Sequence, residues 1–197
     1  MTEDFEFIGE PHPTYTGIGW AKRYMDRVAK HLHDKTDTNF CIIRSSAIYG
    51  SFDIFDYKRS HVIPSLIMRA SERKPNFLVW GDGKQERDFV HADDVANGLI
   101  SAIESYSVAD SLNIAFGKSH TINDVVSEIL DCYYNPLDSI QKNNRPYIEY
   151  DLEKPVMIEK RSININKAKS LIGYSPKWNL SDGIKETVDW YEYTRNR

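Results

Sequence analysis

Residues 80–98 read Trp80-Gly81-Asp82-Gly83-Lys84-Gln85-Glu86-Arg87-Asp88-Phe89-Val90-His91-Ala92-Asp93-Asp94-Val95-Ala96-Asn97-Gly98. They follow the apolar run Phe77-Leu78-Val79-Trp80, and Gly81 and Gly83 bracket Asp82 as a turn. A short apolar pair, Phe89-Val90, comes next, and Asp93 and Asp94 stand where a helix should begin. A carboxylate there satisfies free backbone N–H groups and suits the positive end of the helix dipole. One strand, a glycine turn, a second strand and a capped helix therefore crowd into this stretch. Taken alone, Arg87 is a surface charge and the two aspartates are cap and packing residues rather than an acid/base pair.

Outward from this stretch the pattern continues. Met1 to Pro13 has no periodicity and reads as an irregular lead-in. Trp20, Tyr24, Met25, Val28 and Leu32 recur at helical spacing and predict an amphipathic helix ending near His33. Phe40-Cys41-Ile42-Ile43 is a continuous apolar run, as expected of a buried parallel strand. Helices are expected from Pro64 to about Arg73, through Val95 to Ile103, and from a Thr121 or Asn123 cap through Leu130. Ser111 to Phe116 is a strand, and residues 134–161 are a polar loop with a strand near Tyr147 to Tyr150. Asn166 to Ile172 is a helix stopped by Gly173, and Ser181 caps a last helix through Tyr191. Alternating strands and helices indicate an α/β fold with a parallel sheet.

The Arg87-Asp88-Phe89, His91 and Asp93-Asp94 pattern resembles the extended short-chain dehydrogenase/reductase family, the nucleotide-sugar epimerases, dehydratases and reductases. Ser60-His61-Val62-Ile63-Pro64 and Ile48-Tyr49-Gly50 are most similar to its GDP-L-fucose synthase group. The likeness runs from about Pro11 to Tyr191 and corresponds to the second half of a full-length member. It implies an incomplete Rossmann-like parallel sheet, in residues 1–50 and 92–117, with a small α/β substrate-binding lobe in 51–91 and 118–197. It also implies NAD or NADP as cofactor and a nucleotide sugar as substrate.

The resemblance further implies site residues. Family catalysis uses a Tyr-x-x-x-Lys pair, two residues stacked on one helical face. Lys22 matches that lysine, which in the family is both catalytic and cofactor-binding, but Ile18 stands at the tyrosine position and can neither give nor take a proton. Tyr15 lies two helical turns from Lys22, roughly 10 Å along the axis, and is a poor substitute. Arg87 matches the arginine that grips the nucleotide diphosphate, and guanidinium suits that role because it bonds phosphate oxygens bidentately. Arg69 matches a second substrate-facing arginine, and His61 a histidine that donates a proton beside the sugar. The family's usual asparagine and proline around the Tyr49-Gly50 element are Ala47 and Ser51. Gly17-Ile18-Gly19 lacks the third glycine of a phosphate loop, and no strand–turn–helix unit for a dinucleotide is present. Specific cofactor binding and catalysis by this chain alone are therefore not expected. The rival expectation is a non-catalytic nucleotide-sugar-binding or subunit-interaction module, and a third is a fragment with no independent function.

Composition sets outer limits. The chain has 197 residues, ample for a core, and a formal net charge of −4, which gives no electrostatic reason to bind nucleic acid. Cys41 and Cys132 have no metal-like spacing and read as reduced core or near-core thiols of a cytoplasmic protein. His31 and His33 lie about 200° apart on a helix and form no chelate. No apolar run reaches the ~18 residues of a membrane span. An open sheet edge beside Phe40 to Ile43 predicts a homodimer or pairing with a separately encoded N-terminal half.

Overall fold

A computed structural model describes residues 1–135, 137–154 and 158–197. Two short 3-10 turns, Glu3–Phe7 and Pro13–Tyr15, lead into helix α1 (Thr16–Lys35), followed by strands β1 (Phe40–Ser45) and β2 (Ala47–Tyr49). Next come α2 (Val62–Ser71), β3 (Asn76–Trp80), β4 (Glu86–His91), α3 (Ala92–Ser105) and β5 (Val108–Ile114). The chain closes with β6 (Ser119–Thr121), α4 (Ile122–Tyr133), α5 (Ser139–Asn143), β7 (Tyr147–Asp151), β8 (Lys160–Arg161), α6 (Asn166–Ile172) and α7 (Leu180–Arg195). The polar loop expected over 134–161 thus carries a helical turn and two strands, while residues 136 and 155–157 lie outside the described part.

The expected parallel sheet is divided into three ladders. β1 pairs with β5 and β3 with β7, each in parallel. β4 is the centre of the third ladder: parallel to β2 through Phe89–His91, antiparallel to β6 and parallel to β8 through Glu86 and Arg87. Two apolar cores follow. One gathers Ile63, Ile67, Val79, Phe89, Val126, Leu130 and Ile184 between α2, α4, α7 and the β3 and β4 strands. The other holds Leu112, Ile114, Ala168 and Tyr174 against Ile43 and Val95, so α6 packs on β5 and α3.

Several local expectations need correction. β1 is half-buried along its whole length rather than fully buried, because among the described residues only β5 pairs with it. The lead-in is short 3-10 turns and irregular chain, but it is tied to the body: the Met1 ammonium donates to the Ser162 carbonyl at 2.7 Å, and the buried Glu3 carboxylate accepts the Asn113 N–H at 2.9 Å. α7 is capped by Asn179, which accepts the Asp182 N–H at 2.9 Å, two residues before Ser181. Cys41 and Cys132 are free thiols, but Cys132 lies at an exposed position of α4 rather than in the core. Thr121 does cap α4, in a reciprocal box with Asp124, and Gly173 ends α6 in the left-handed conformation. No helix among the described residues is long and apolar enough to cross a membrane.

Candidate functional site

The stretch 80–98 builds its site from β4 outward. Side chains alternate across a strand, so Glu86 and Asp88 share one face and Arg87 takes the other. Asp88 is buried and binds the fold together: its Oδ1 accepts from Ser46 Oγ at 2.8 Å and Phe116 N at 2.9 Å, and its Oδ2 from Gly117 N at 2.9 Å. Burial pushes its carboxyl pKa up against the pull of those bonds.

His91, rather than an aspartate, caps α3, with Nδ1 accepting the Asp93 N–H at 3.3 Å. That leaves Nε2 as the donor to Glu186, 3.3 Å away on α7, and the buried ring stacks on Trp178 with centroids 4.3 Å apart. Glu186 also accepts from Ser51 Oγ, so the residue in the family's proline position ties its loop to α7. Asp94 is buried and accepts the Lys177 and Trp178 N–H groups, the packing role expected of it.

On the opposite face of β4 the register sets Arg87 beside Arg161 of β8 on one side and His120 of β6 on the other. Directly opposed residues project from the same face at about 5 Å, where like charges are unfavourable without a counter-ion. Burial lowers the Arg87 pKa, Tyr15 opposes the shift, and Arg161 adds to it. The guanidinium stays charged nonetheless. One of its nitrogens donates to the Glu86 carbonyl at 2.8 Å. His120 is held below its ordinary pKa by burial and by Lys118, and its buried Nε2 has no partner. The row Arg161–Arg87–His120 thus offers a bidentate cation and a second cation, with the imidazole of His120 at the neighbouring register position. Sequence reading finds only Arg87 of the three, since β6 and β8 are too short to carry a period.

The other expected site residues are placed separately. Ile18 and Lys22 are one turn apart on α1, both exposed, with Tyr15 at the helix N-cap. Gly17 and Gly19 lie inside α1 rather than in a strand-to-helix turn, and a Cβ on Gly19 would come within 2.6 Å of Pro11. Gly17 and Gly19 therefore form no strand-to-helix phosphate turn. Arg69 donates to the Leu78 carbonyl at 2.8 Å and Ser65 Oγ at 3.2 Å and lies 5.5 Å from the Trp80 ring centre. His61 caps α2 through its backbone, its imidazole exposed and 3.9 Å from Asp53. Among the described residues no hydrogen bond or ion pair joins Lys22, His61, Arg69 and Arg87 to one another, and no cluster suited to a metal ion is present.

The profile of the NAD dependent epimerase/dehydratase family matches residues 3–115, more than half of the sequence. The chain belongs to that family. Among curated relatives, it is 26% identical to the GDP-L-colitose synthase of Yersinia pseudotuberculosis over 202 aligned positions, covering all of this chain and 62% of the relative. It is 31% identical to GDP-L-fucose synthase 1 of Arabidopsis thaliana, over 73% of this chain and 43% of the relative. The chain therefore spans less than two thirds of each of these relatives. A GDP-L-fucose synthetase from Naegleria fowleri, solved with NADP, superimposes with a TM-score of 0.87 at 22% identity, over the whole of this chain and 61% of that one. The UDP-glucose 4-epimerase of Thermotoga maritima, solved with UDP-glucose, gives 0.75 at 22% identity, over 90% of this chain and 53% of that one. The fold is accordingly α/β and Rossmann-like.

Proposed function

We propose that this chain supplies the nucleotide-sugar side of an NAD(P)-dependent epimerase, reductase or dehydratase of the GDP-L-fucose synthase type. The observation that carries the reading is the Arg161–Arg87–His120 row, which suits the two phosphates of a nucleoside diphosphate. Arg87 is its anchor, Arg161 shares the charge, and His61 is assigned the proton donor beside the sugar.

These 197 residues bind the diphosphate without catalysing, because Ile18 occupies the tyrosine position and Gly17–Gly19 is helical. Calorimetric titration tests this directly. A nucleoside diphosphate should bind saturably, whereas NAD(H) and NADP(H) should show no saturable micromolar binding. Tight dinucleotide binding, or silence with the nucleoside diphosphate, would overturn the reading.

The proposal extends to partners. Across its 20 residues α1 buries none, and Ile18, Tyr24 and Met25 are 56%, 71% and 67% exposed. Trp20 and Leu32 are exposed as well, and β1 is paired on one edge. Exposed apolar stripes and open edges favour association, so we assign a homodimer or a separately encoded N-terminal partner. Light scattering should give a mass above that of one chain for the purified protein. A monodisperse monomer would contradict self-association.

A further inference from the structure

The loop after β2 holds an acid whose bonding is incomplete. Asp53 has only 15% of its side chain exposed, and its Oδ1 accepts the Ile54 N–H at 2.7 Å. Its Oδ2 is buried and has no hydrogen-bond partner. A carboxylate oxygen taken from water and left unbonded is costly, so such a group is expected to have a donor within reach. His61 approaches this carboxylate on its other oxygen. Its Nδ1 lies 3.9 Å from Asp53 Oδ1, and its side chain is 78% exposed. The nearby Asp56 is already engaged by the N–H groups of Lys58 and Arg59. Among the described residues, Asp53 is the one carboxylate within 4.0 Å of the His61 imidazole.

The mobility of the two groups is unequal. Asp53 is fixed by its bond to Ile54, whereas the exposed imidazole makes no capping bond to α2 and is free to turn. A shift of about 1 Å brings Nδ1 into hydrogen-bond range of the carboxylate.

We infer that Asp53 is the positioning residue of His61: it accepts the Nδ1–H, fixes the tautomer and leaves Nε2 for the ligand. Its consequence for chemistry rests on the role given to His61 above. The proton on one ring nitrogen is set by the bond the other makes. A base that accepts Nδ1–H therefore decides which nitrogen faces a sugar hydroxyl or carbonyl.

The test is the imidazole tautomer of His61, read from long-range proton–nitrogen NMR spectra of the full chain in the neutral range of the ring. A His61→Gln variant assigns the signals. Wild-type protein should favour the Nδ1–H form, and Asp53→Asn should shift the tautomer ratio roughly fivefold towards Nε2–H. An Nε2–H majority in the wild type overturns the inference without any variant, as does an unchanged ratio in Asp53→Asn. Titrating the same samples with a nucleoside diphosphate separates the two readings. Absent binding refutes the proposed function, while the tautomer ratio independently decides the role of Asp53.

Discussion

Asp88→Ala is expected to be among the most destabilising single substitutions in this chain, at roughly 3 kcal/mol or more. The change leaves the Ser46 hydroxyl and the Phe116 and Gly117 N–H groups without their acceptor. A fully buried donor left without a partner costs about 1–3 kcal/mol, and these three are partly buried, which places the sum near the lower end. For a chain of this length the melting temperature should fall by roughly 6–12 °C. The loss reflects topology, because Asp88 on β4 holds the segments that follow β1 and β5 and thereby joins two ladders that share no strand.

The same carboxyl gives a pH dependence of definite sign. Burial raises its pKa, so the folded state holds the proton more tightly than the unfolded chain. Its titration therefore favours folding at low pH, and that contribution declines as pH rises from the ordinary value through the raised one. Asp88→Asn should remove this slope. Urea unfolding across the acid range measures both effects. An Asp88→Ala loss below about 1 kcal/mol would show that these contacts are not holding the ladders together.

The legible parts of the fold were those with a period or a punctuating residue. The Asn166–Ile172 helix ends where Gly173 stops it, and Thr121 caps α4 as its sequence suggests. The amphipathic spacing of α1 identifies the helix but not what it faces, because Trp20, Tyr24, Met25 and Leu32 remain exposed. The illegible parts depend on neighbours distant in sequence. Ser119–Thr121 and Lys160–Arg161 have no apolar run, and they are strands only because Glu86 to Asp88 provide a partner on either side. Glu3 in the lead-in is another instance, since its acceptor role requires Asn113, 110 residues later.

The candidate site divides along the same line. Arg87 stands in a recognisable local pattern, so sequence alone could single it out. Arg161 and His120 become site residues only through strand register, which no local pattern encodes. The cap of α3 is not legible locally, because the His91 imidazole, accepting from the Asp93 N–H, takes the place of the expected carboxylate. Its links to Trp178 and Glu186 also span about half the chain.

The central claim is that Arg87 anchors a nucleoside diphosphate on the face of β4 opposite Asp88. Charge-assisted hydrogen bonds contribute about 1.5–3 kcal/mol each, and 1.4 kcal/mol is tenfold in affinity. The most direct measurement is calorimetric titration of wild type, Arg87→Ala and Arg69→Ala with a nucleoside diphosphate at two salt concentrations. Arg87→Ala should weaken binding roughly 10- to 100-fold and flatten its salt dependence. Arg69→Ala should weaken it less, because that guanidinium is already engaged by the Leu78 carbonyl and Ser65. Equal affinity in wild type and Arg87→Ala would contradict the account.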